Sequence, residues 1–277
     1  DVDRLIAQKP DLVAVSVFSE RFNQAIEGTR QLKRAWDVPV IIGGPHISAL
    51  PSTLDPSMDI GVIGEGELAM KTMVELLSKG QLNSKNLKDI SNVIYWDDNR
   101  TLQLPHKQER IQNLDMIPMP LRSLMRTYWP TTQEWIQWEQ GVYTSRGCPF
   151  TCGFCMYSQA SNLVRYHSVD RVIEDIEDIL RHYPQQNNII FYDDLFVTKK
   201  SRLKEIADGI RAEKIHQKVT FGCMAKTSFF DEEFASTLQS MNIKVISFGF
   251  ESGNNRVLHY LKDRHSTVEK NQKAIDI

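Results

Sequence analysis

Apolar residues recur along this chain in two alternating modes. Short β-branched runs, Leu12 to Phe18, Val38 to Ile42 and Asp59 to Ile63, are apolar without polar alternation, the pattern of strands buried on both faces of a parallel sheet. Between them, side chains fall at helical spacing: Phe22, Ile26, Thr29, Leu32 and Trp36, then Leu68, Val74 and Leu77 in a segment from Glu67 to Lys79 that Gly80 stops. The alternation predicts consecutive βαβ units. From Gln81 to Gln140 it lapses. There, Val93 to Trp96, an Asp/Asn-rich turn at 97–100 and Thr101 to Leu104 read as a hairpin, and Pro118 and Pro120 exclude regular structure. Trp129, Trp135 and Trp138 follow, as packing or capping residues in the simplest reading. The alternation then resumes, with strands predicted at 140–145, 188–192, 219–225 and 245–250 and helices over 169–180, 201–214 and 231–241 between them.

The pattern predicts an α/β chain in three parts: a first domain over 1–80, a connector with a hairpin over 81–139, and a second domain over 140–277. With 41% hydrophobic and 25% charged residues in 277, the composition is that of an ordinary globular chain, and a formal net charge of -2 gives no case for nucleic-acid binding. No apolar run approaches a membrane span and the first residues lack a signal-peptide layout, so a cytoplasmic location is expected. The chain opens without Met near the start of a helical segment and closes within another, so a piece of a longer protein is also expected.

In open parallel sheets ligands gather beyond the carboxyl ends of the strands, which places Ser16, Gly43, Gly44 and the segment Gly64 to Glu67 on one rim. Ordinary turn chemistry accounts for those glycines equally well. A sharper signal lies at Cys148, Cys152 and Cys155, which put three of the four cysteines within eight residues. Clustered thiolates in a cysteine-poor chain favour a soft metal or an iron–sulfur cluster over a disulfide scaffold, and no second pair follows at zinc-site spacing. Three ligands fit a cubane cluster with one iron left open. Cys223 stands alone and reads as a packed thiol.

The Cys-x3-Cys-x2-Cys spacing, with Phe154 beside the third cysteine and Tyr143 to Pro149 around the first, resembles the cluster loop of the radical S-adenosylmethionine (SAM) enzymes. Residues 10–79 resemble the cobalamin-binding domain upstream of one large group of those enzymes, and Leu114 to Leu121 resembles its interdomain linker. The resemblance implies a flavodoxin-like (Rossmann-like) parallel-sheet domain lacking its first strand, then a C-terminally incomplete TIM-type βα barrel. It implies a 4Fe-4S cluster on Cys148, Cys152 and Cys155, SAM, and cobalamin. Ser16 would contact the cobalamin nucleotide tail, with Gly43, Gly44 and Gly64 lining the site. Asp193 or Asp194 would accept from the SAM amino group, Lys226 would lie near its carboxylate, and Glu251 and Ser252 near its ribose. The Asp-x-His-x-x-Gly loop that supplies cobalt with a histidine in many cobalamin proteins is absent; His46 is a substitute on paper, although a loop histidine is more often structural.

The implied activity is cleavage of SAM to a 5′-deoxyadenosyl radical for cobalamin-dependent methylation of an unactivated carbon in a small-molecule or peptide substrate, with flavodoxin or ferredoxin as electron donor. Alternatives are radical ring closure, oxidation or rearrangement with the same cofactors, a methylthiotransferase, and a non-catalytic cobalamin or iron–sulfur sensor. The methylthiotransferase reading lacks its three further front-domain cysteines. The sensor reading leaves the polar residues at successive strand ends without a purpose.

Overall fold

The computed structural model describes residues 2–124, 140–156, 163–196, 198–262 and 264–277. Trp129, Trp135 and Trp138 lie outside the described residues. The chain divides into two compact units, Asp1–Ile111 and Gln112–Ile277.

In the first unit, β1 (Val13–Ser16), β2 (Val40–Gly43) and β3 (Ile60–Val62) pair in parallel, in chain order. Helices α1 (Val2–Gln8), α2 (Phe22–Ala35), α3 (Pro45–Ala49) and α4 (Glu67–Ser78) flank and connect them. Val40, Ile42, Ile47 and Met58 are fully buried in one core cluster and Met73 in the other. Each such side chain contributes roughly 1.5–3 kcal/mol through apolar burial. After the short helix α5 (Ser84–Leu87) come β4 (Val93–Trp96) and β5 (Leu102–Gln103), the predicted hairpin. It does not stand in a separate connector. Strand β4 pairs antiparallel with β3, through Ile60 with Tyr95 and Val62 with Val93, and so extends the first sheet. The expected boundary at residue 80 therefore moves to 111, because the open edge of β3 takes up the hairpin's backbone groups.

In the second unit, β6 (Gln140–Val142), β9 (Asn188–Phe191), β10 (Thr220–Ala225) and β11 (Ile243–Phe248) form a parallel sheet in chain order among the described residues. The intervening helices are α6 (Val169–His182), α7 (Lys200–Ala212) and α8 (Glu232–Ser240). Ser168 caps α6 by accepting from the Arg171 N–H at 3.2 Å, and Asp231 caps α8 by accepting from the Phe234 N–H at 2.9 Å. Val172, Ile176 and Ile179 of α6, with Leu203, Ile206 and Ile210 of α7, bury one face of the sheet, represented by Ile189, Phe191, Phe221 and Cys223. On the opposite face the register aligns Gly141, Ile190, Gly222 and Val245, then Tyr143, Tyr192, Met224 and Ser247. Tyr143, Tyr192, Met224 and Val245 of that face are exposed.

Among the described residues ahead of the unit's first strand, Asp115, Ile117 and Arg122 are bound to α6 and its cap. Asp115 accepts from the Ser168 N–H at 3.0 Å and pairs with His167 Nδ1 at 3.1 Å, and Arg171 donates to the Ile117 carbonyl at 2.8 Å. Buried Arg122 forks between Asp175 (2.6 Å) and Asp178 (2.8 Å). The proline-containing linker is thereby part of the second unit.

Candidate functional site

The cysteine loop leaves the carboxyl end of β6 through a closed neck. Strand β7 (Ser145–Arg146) pairs antiparallel with β8 (Arg165–Tyr166), which cinches the chain on either side of the described cysteine segment, 147–156. Gly147 turns the chain into it at φ 100°, where an added Cβ would meet the Leu163 carbonyl oxygen at 2.5 Å. The adjacent carboxylates of β9's end hold this neck from two sides. Asp193 Oδ1 accepts the N–H groups of Thr144 and Ser145, both at 2.7 Å, and its Oδ2 lies 2.6 Å from Thr144 Oγ1. Asp194 accepts the Gly147 N–H at 3.1 Å, one residue before Cys148.

The two aspartates differ because strand side chains alternate. Asp193 shares the helix-packed face with Ile189 and Phe191 and is completely buried, whereas Asp194 follows Ile190 and Tyr192 onto the open face. Burial pushes the Asp193 carboxyl up to about 7 against the pull of its hydrogen bonds. Asp194 is also raised by burial, opposed by the Gly147 N–H. A fully enclosed carboxyl whose oxygens are taken by Thr144 and Ser145 does not meet a ligand, so Asp193 is removed as an amino-group acceptor and Asp194 remains.

No described cysteine is in a disulfide, and Cys148, Cys152 and Cys155 are each partly exposed. Burial raises the Cys148 thiol above its ordinary value; the Phe150 N–H opposes this, and Asp194, Cys152 and Cys155 add to the rise. Among the described residues no three His, Cys, Asp or Glu side chains converge as on a single ion. An iron–sulfur cluster takes one thiolate per iron instead, so a donor set of soft thiols in a pinned, half-open loop fits it. Cys223 is different: it is buried in the sheet core and its thiol is pushed up to about 12, mainly by desolvation, consistent with packing. Phe154 is exposed beside Cys155.

The remaining strand ends line the same side. Lys226, after β10, is buried with its ammonium 3.5 Å from the centre of the Phe150 ring, a cation–π contact that brings a positive charge to the cysteine loop. After β11, Glu251 sits at φ 58° and the Ser252 hydroxyl accepts the Asn254 N–H at 3.1 Å. Several participants escape a reading of the sequence. Asn271 accepts from Thr227 Oγ1 at 2.7 Å and donates to the Phe250 carbonyl at 3.1 Å, tying the ends of β10 and β11. Arg202 of α7 reaches the Thr144 carbonyl at 3.2 Å and stacks on Tyr166. Neither carries a local motif; the helical register that sets Arg202 one turn before buried Ile206 is the only available signal.

In the first unit the predicted rim is real as a geometric feature. Ser16 pairs with Gly43 at the ends of β1 and β2. Gly44 has φ 93°, and a Cβ there would lie 2.7 Å from Ser16 Oγ and 2.8 Å from Val17 N, so only glycine fits. Ser48 joins the rim's halves, donating to the Gly44 carbonyl and accepting the Gly64 N–H, both at 2.9 Å. A Cβ on Gly43 would meet only the Val62 carbonyl oxygen, at 3.9 Å, and one on Gly64 nothing within 4 Å, while Phe18, Leu50 and Leu68, the last in the first turn of α4, are exposed apolar side chains near this rim. His46 is not available to a metal. Its Nδ1 bonds Ser19 Oγ at 2.9 Å, its Nε2 bonds Thr53 Oγ1 at 3.0 Å, and its ring stacks on Phe22 at 3.8 Å, with burial lowering its pKa.

Comparison with known proteins matches residues 142–277 to the radical SAM superfamily and residues 2–74 to the B12 binding domain. An uncharacterized methyltransferase of Pyrococcus horikoshii is 32% identical over 269 residues, covering 94% of this chain and 56% of that protein. The anaerobic magnesium-protoporphyrin IX monomethyl ester cyclase of Rubrivivax gelatinosus is 21% identical, over 99% of this chain and 50% of the cyclase. The chain thus spans about half the length of these curated relatives. Among solved structures, the cobalamin-dependent SAM radical enzyme OxsB, with aqua-cobalamin and SAM bound, superimposes with a TM-score of 0.79 at 20% identity, over 98% of this chain and 39% of OxsB, which establishes a common fold. The chain belongs to the radical SAM superfamily, in the group that carries a B12-binding domain ahead of the radical SAM domain.

Proposed function

We propose that this chain is the cofactor-bearing part of a cobalamin-dependent radical SAM methyltransferase acting on an unactivated carbon of a small-molecule or peptide substrate. In this reading the first sheet is flavodoxin-like, with a corrinoid on the rim of Ser16, Gly43, Gly44 and Gly64, and the second sheet is the opening half of a βα barrel. The observation that carries it is the cinched loop of Cys148, Cys152 and Cys155 at a parallel strand's carboxyl end, in a chain that also has a B12-binding domain. When bound, a 4Fe-4S cluster supplies the electron that cleaves SAM to a 5′-deoxyadenosyl radical, and cobalamin supplies the methyl group.

The chain's own residues orient and neutralise. Cys148, Cys152 and Cys155 hold the cluster, and Asp193 and Asp194 fix the loop's entry. Asp194, on the open face, offers its second oxygen to the SAM amino group, Lys226 offers a cation to the carboxylate, and Glu251 and Ser252 offer acceptors to the ribose. Flavodoxin or ferredoxin serves as electron donor. Without side chains, Gly43 and Gly64 leave room at this rim for the nucleotide tail.

A ring closure or oxidation with the same cofactors is the second reading, favoured by the likeness to the cyclase over 99% of the chain. Anaerobic turnover of the full-length protein with reductant, SAM and candidate substrates separates the two by product mass. A gain of one methylene supports methylation, and a loss of two hydrogens supports oxidation or closure. A reconstituted protein that forms no 5′-deoxyadenosine overturns both.

A further inference from the structure

Helix α9 (Asn255–Leu261) is short, and Leu258 is its one buried residue. Its carboxyl end nevertheless meets two segments of the candidate site. The Leu261 carbonyl accepts the Gly153 N–H at 2.8 Å, inside the cysteine loop. The next residue, Lys262, directs its ammonium to the turn after β11, where it donates to the Gly249 carbonyl and lies 3.4 Å from Glu251 Oε1. Its side chain is only 10% exposed, so a long flexible cation is desolvated and fixed there.

The turn depends on such a fixture. Glu251 has φ 58°, in the left-handed region that is strained for a non-glycine residue. The turn also closes tightly on itself, since a Cβ on Gly249 would lie 2.5 Å from Glu251 Oε1. One ammonium shared by the Gly249 carbonyl and the Glu251 carboxylate holds both ends of this three-residue arc. An exposed lysine ion pair would contribute little; burial and the second acceptor make this one different.

The geometry points to Lys262 as a positioning residue that, through consecutive residues at the end of α9, fixes the Gly249–Glu251 turn relative to the cysteine loop and so preforms the SAM pocket. This rests on the reading of those two segments as walls of that pocket. Lys262 itself need not touch the ligand.

The test compares wild type, Lys262→Met and Lys262→Arg, each reconstituted anaerobically with iron and sulfide. Iron per chain is expected to be equal in all three. Equilibrium dialysis with SAM should show dissociation weakened about tenfold in the methionine variant and restored to within about threefold by arginine. Hydrogen exchange on the iron-free proteins should quicken at residues 249–253 in Lys262→Met while β10 stays protected. Wild-type SAM affinity in Lys262→Met, or unaltered exchange at 249–253, would overturn the proposal, as would loss of protection throughout β10, which makes Lys262 a fold residue. If the wild type takes up neither iron nor SAM, the functional reading fails instead, and exchange on the iron-free proteins still decides whether Lys262 holds the turn.

Discussion

Asp193 grips Thr144 at both ends: Oδ1 takes its backbone N–H at 2.7 Å while Oδ2 meets its hydroxyl at 2.6 Å. With the Ser145 N–H also on Oδ1, a side chain of β9 determines where the strand before Cys148 ends. The hydroxyl can turn to donate or accept, so a carboxylate, a neutral acid or an amide can each satisfy this arrangement. Replacement by alanine cannot. Asp193→Ala should lose about 3 kcal/mol of stability, since it strands two buried N–H groups, and Asp193→Asn about 1 kcal/mol or less. Calorimetry reads the stability, and iron per chain after reconstitution should fall in the alanine variant alone.

The same carboxyl gives a pH signature. Its folded pKa, about 7, lies above the ordinary carboxyl value of 3.8, with burial as the leading cause. Between these values the folded state holds a proton that the unfolded state has released, so stability falls as pH rises from about 4 to about 7 and levels beyond. Asp193→Asn carries no such proton. Its stability relative to wild type should therefore climb over that window; a difference that stays flat with pH would show that Asp193 is ionised throughout.

Cys148→Ala, Cys152→Ala and Cys155→Ala should each abolish the brown absorbance and 5′-deoxyadenosine formation. Cys223→Ala should preserve both at a cost of about 1 kcal/mol from a small core cavity. Comparable iron loss on replacing Cys223 would defeat the three-ligand assignment.

Glycines 43 and 44 separate folding from binding. Gly44→Ala places a Cβ 2.7 Å from Ser16 Oγ at φ 93° and should destabilise the first unit by about 2 kcal/mol. Gly43→Ala has its nearest neighbour at 3.9 Å and should fold normally. On the proposed corrinoid site its added methyl would crowd the ligand, so gel filtration after cobalamin loading should show reduced retention with iron uptake unchanged. Full retention in Gly43→Ala would move the corrinoid off this rim.

Features encoded by local chemistry are readable along the chain. Unbroken β-branched runs alternating with helical spacing gave parallel βαβ units, because burial on both faces removes polar alternation. The cysteine loop is legible in the same local way: its three thiols lie within eight residues, so their spacing alone singles them out as the candidate donors. Even the division of labour between Asp193 and Asp194 was latent, since strand parity puts Asp193 with Ile189 and Phe191, but which face the helices cover is set only when α6 and α7 pack. Contacts between distant segments set the remaining features. The hairpin at 93–103 joined the first sheet because an edge strand accepts a partner by backbone pairing, which no side-chain pattern specifies. His46 found both its partners on other segments, at Ser19 and Thr53. Lys262 and Asn271 act on turns 11 to 21 residues away, through bonds that exist only once the chain has folded back on β11.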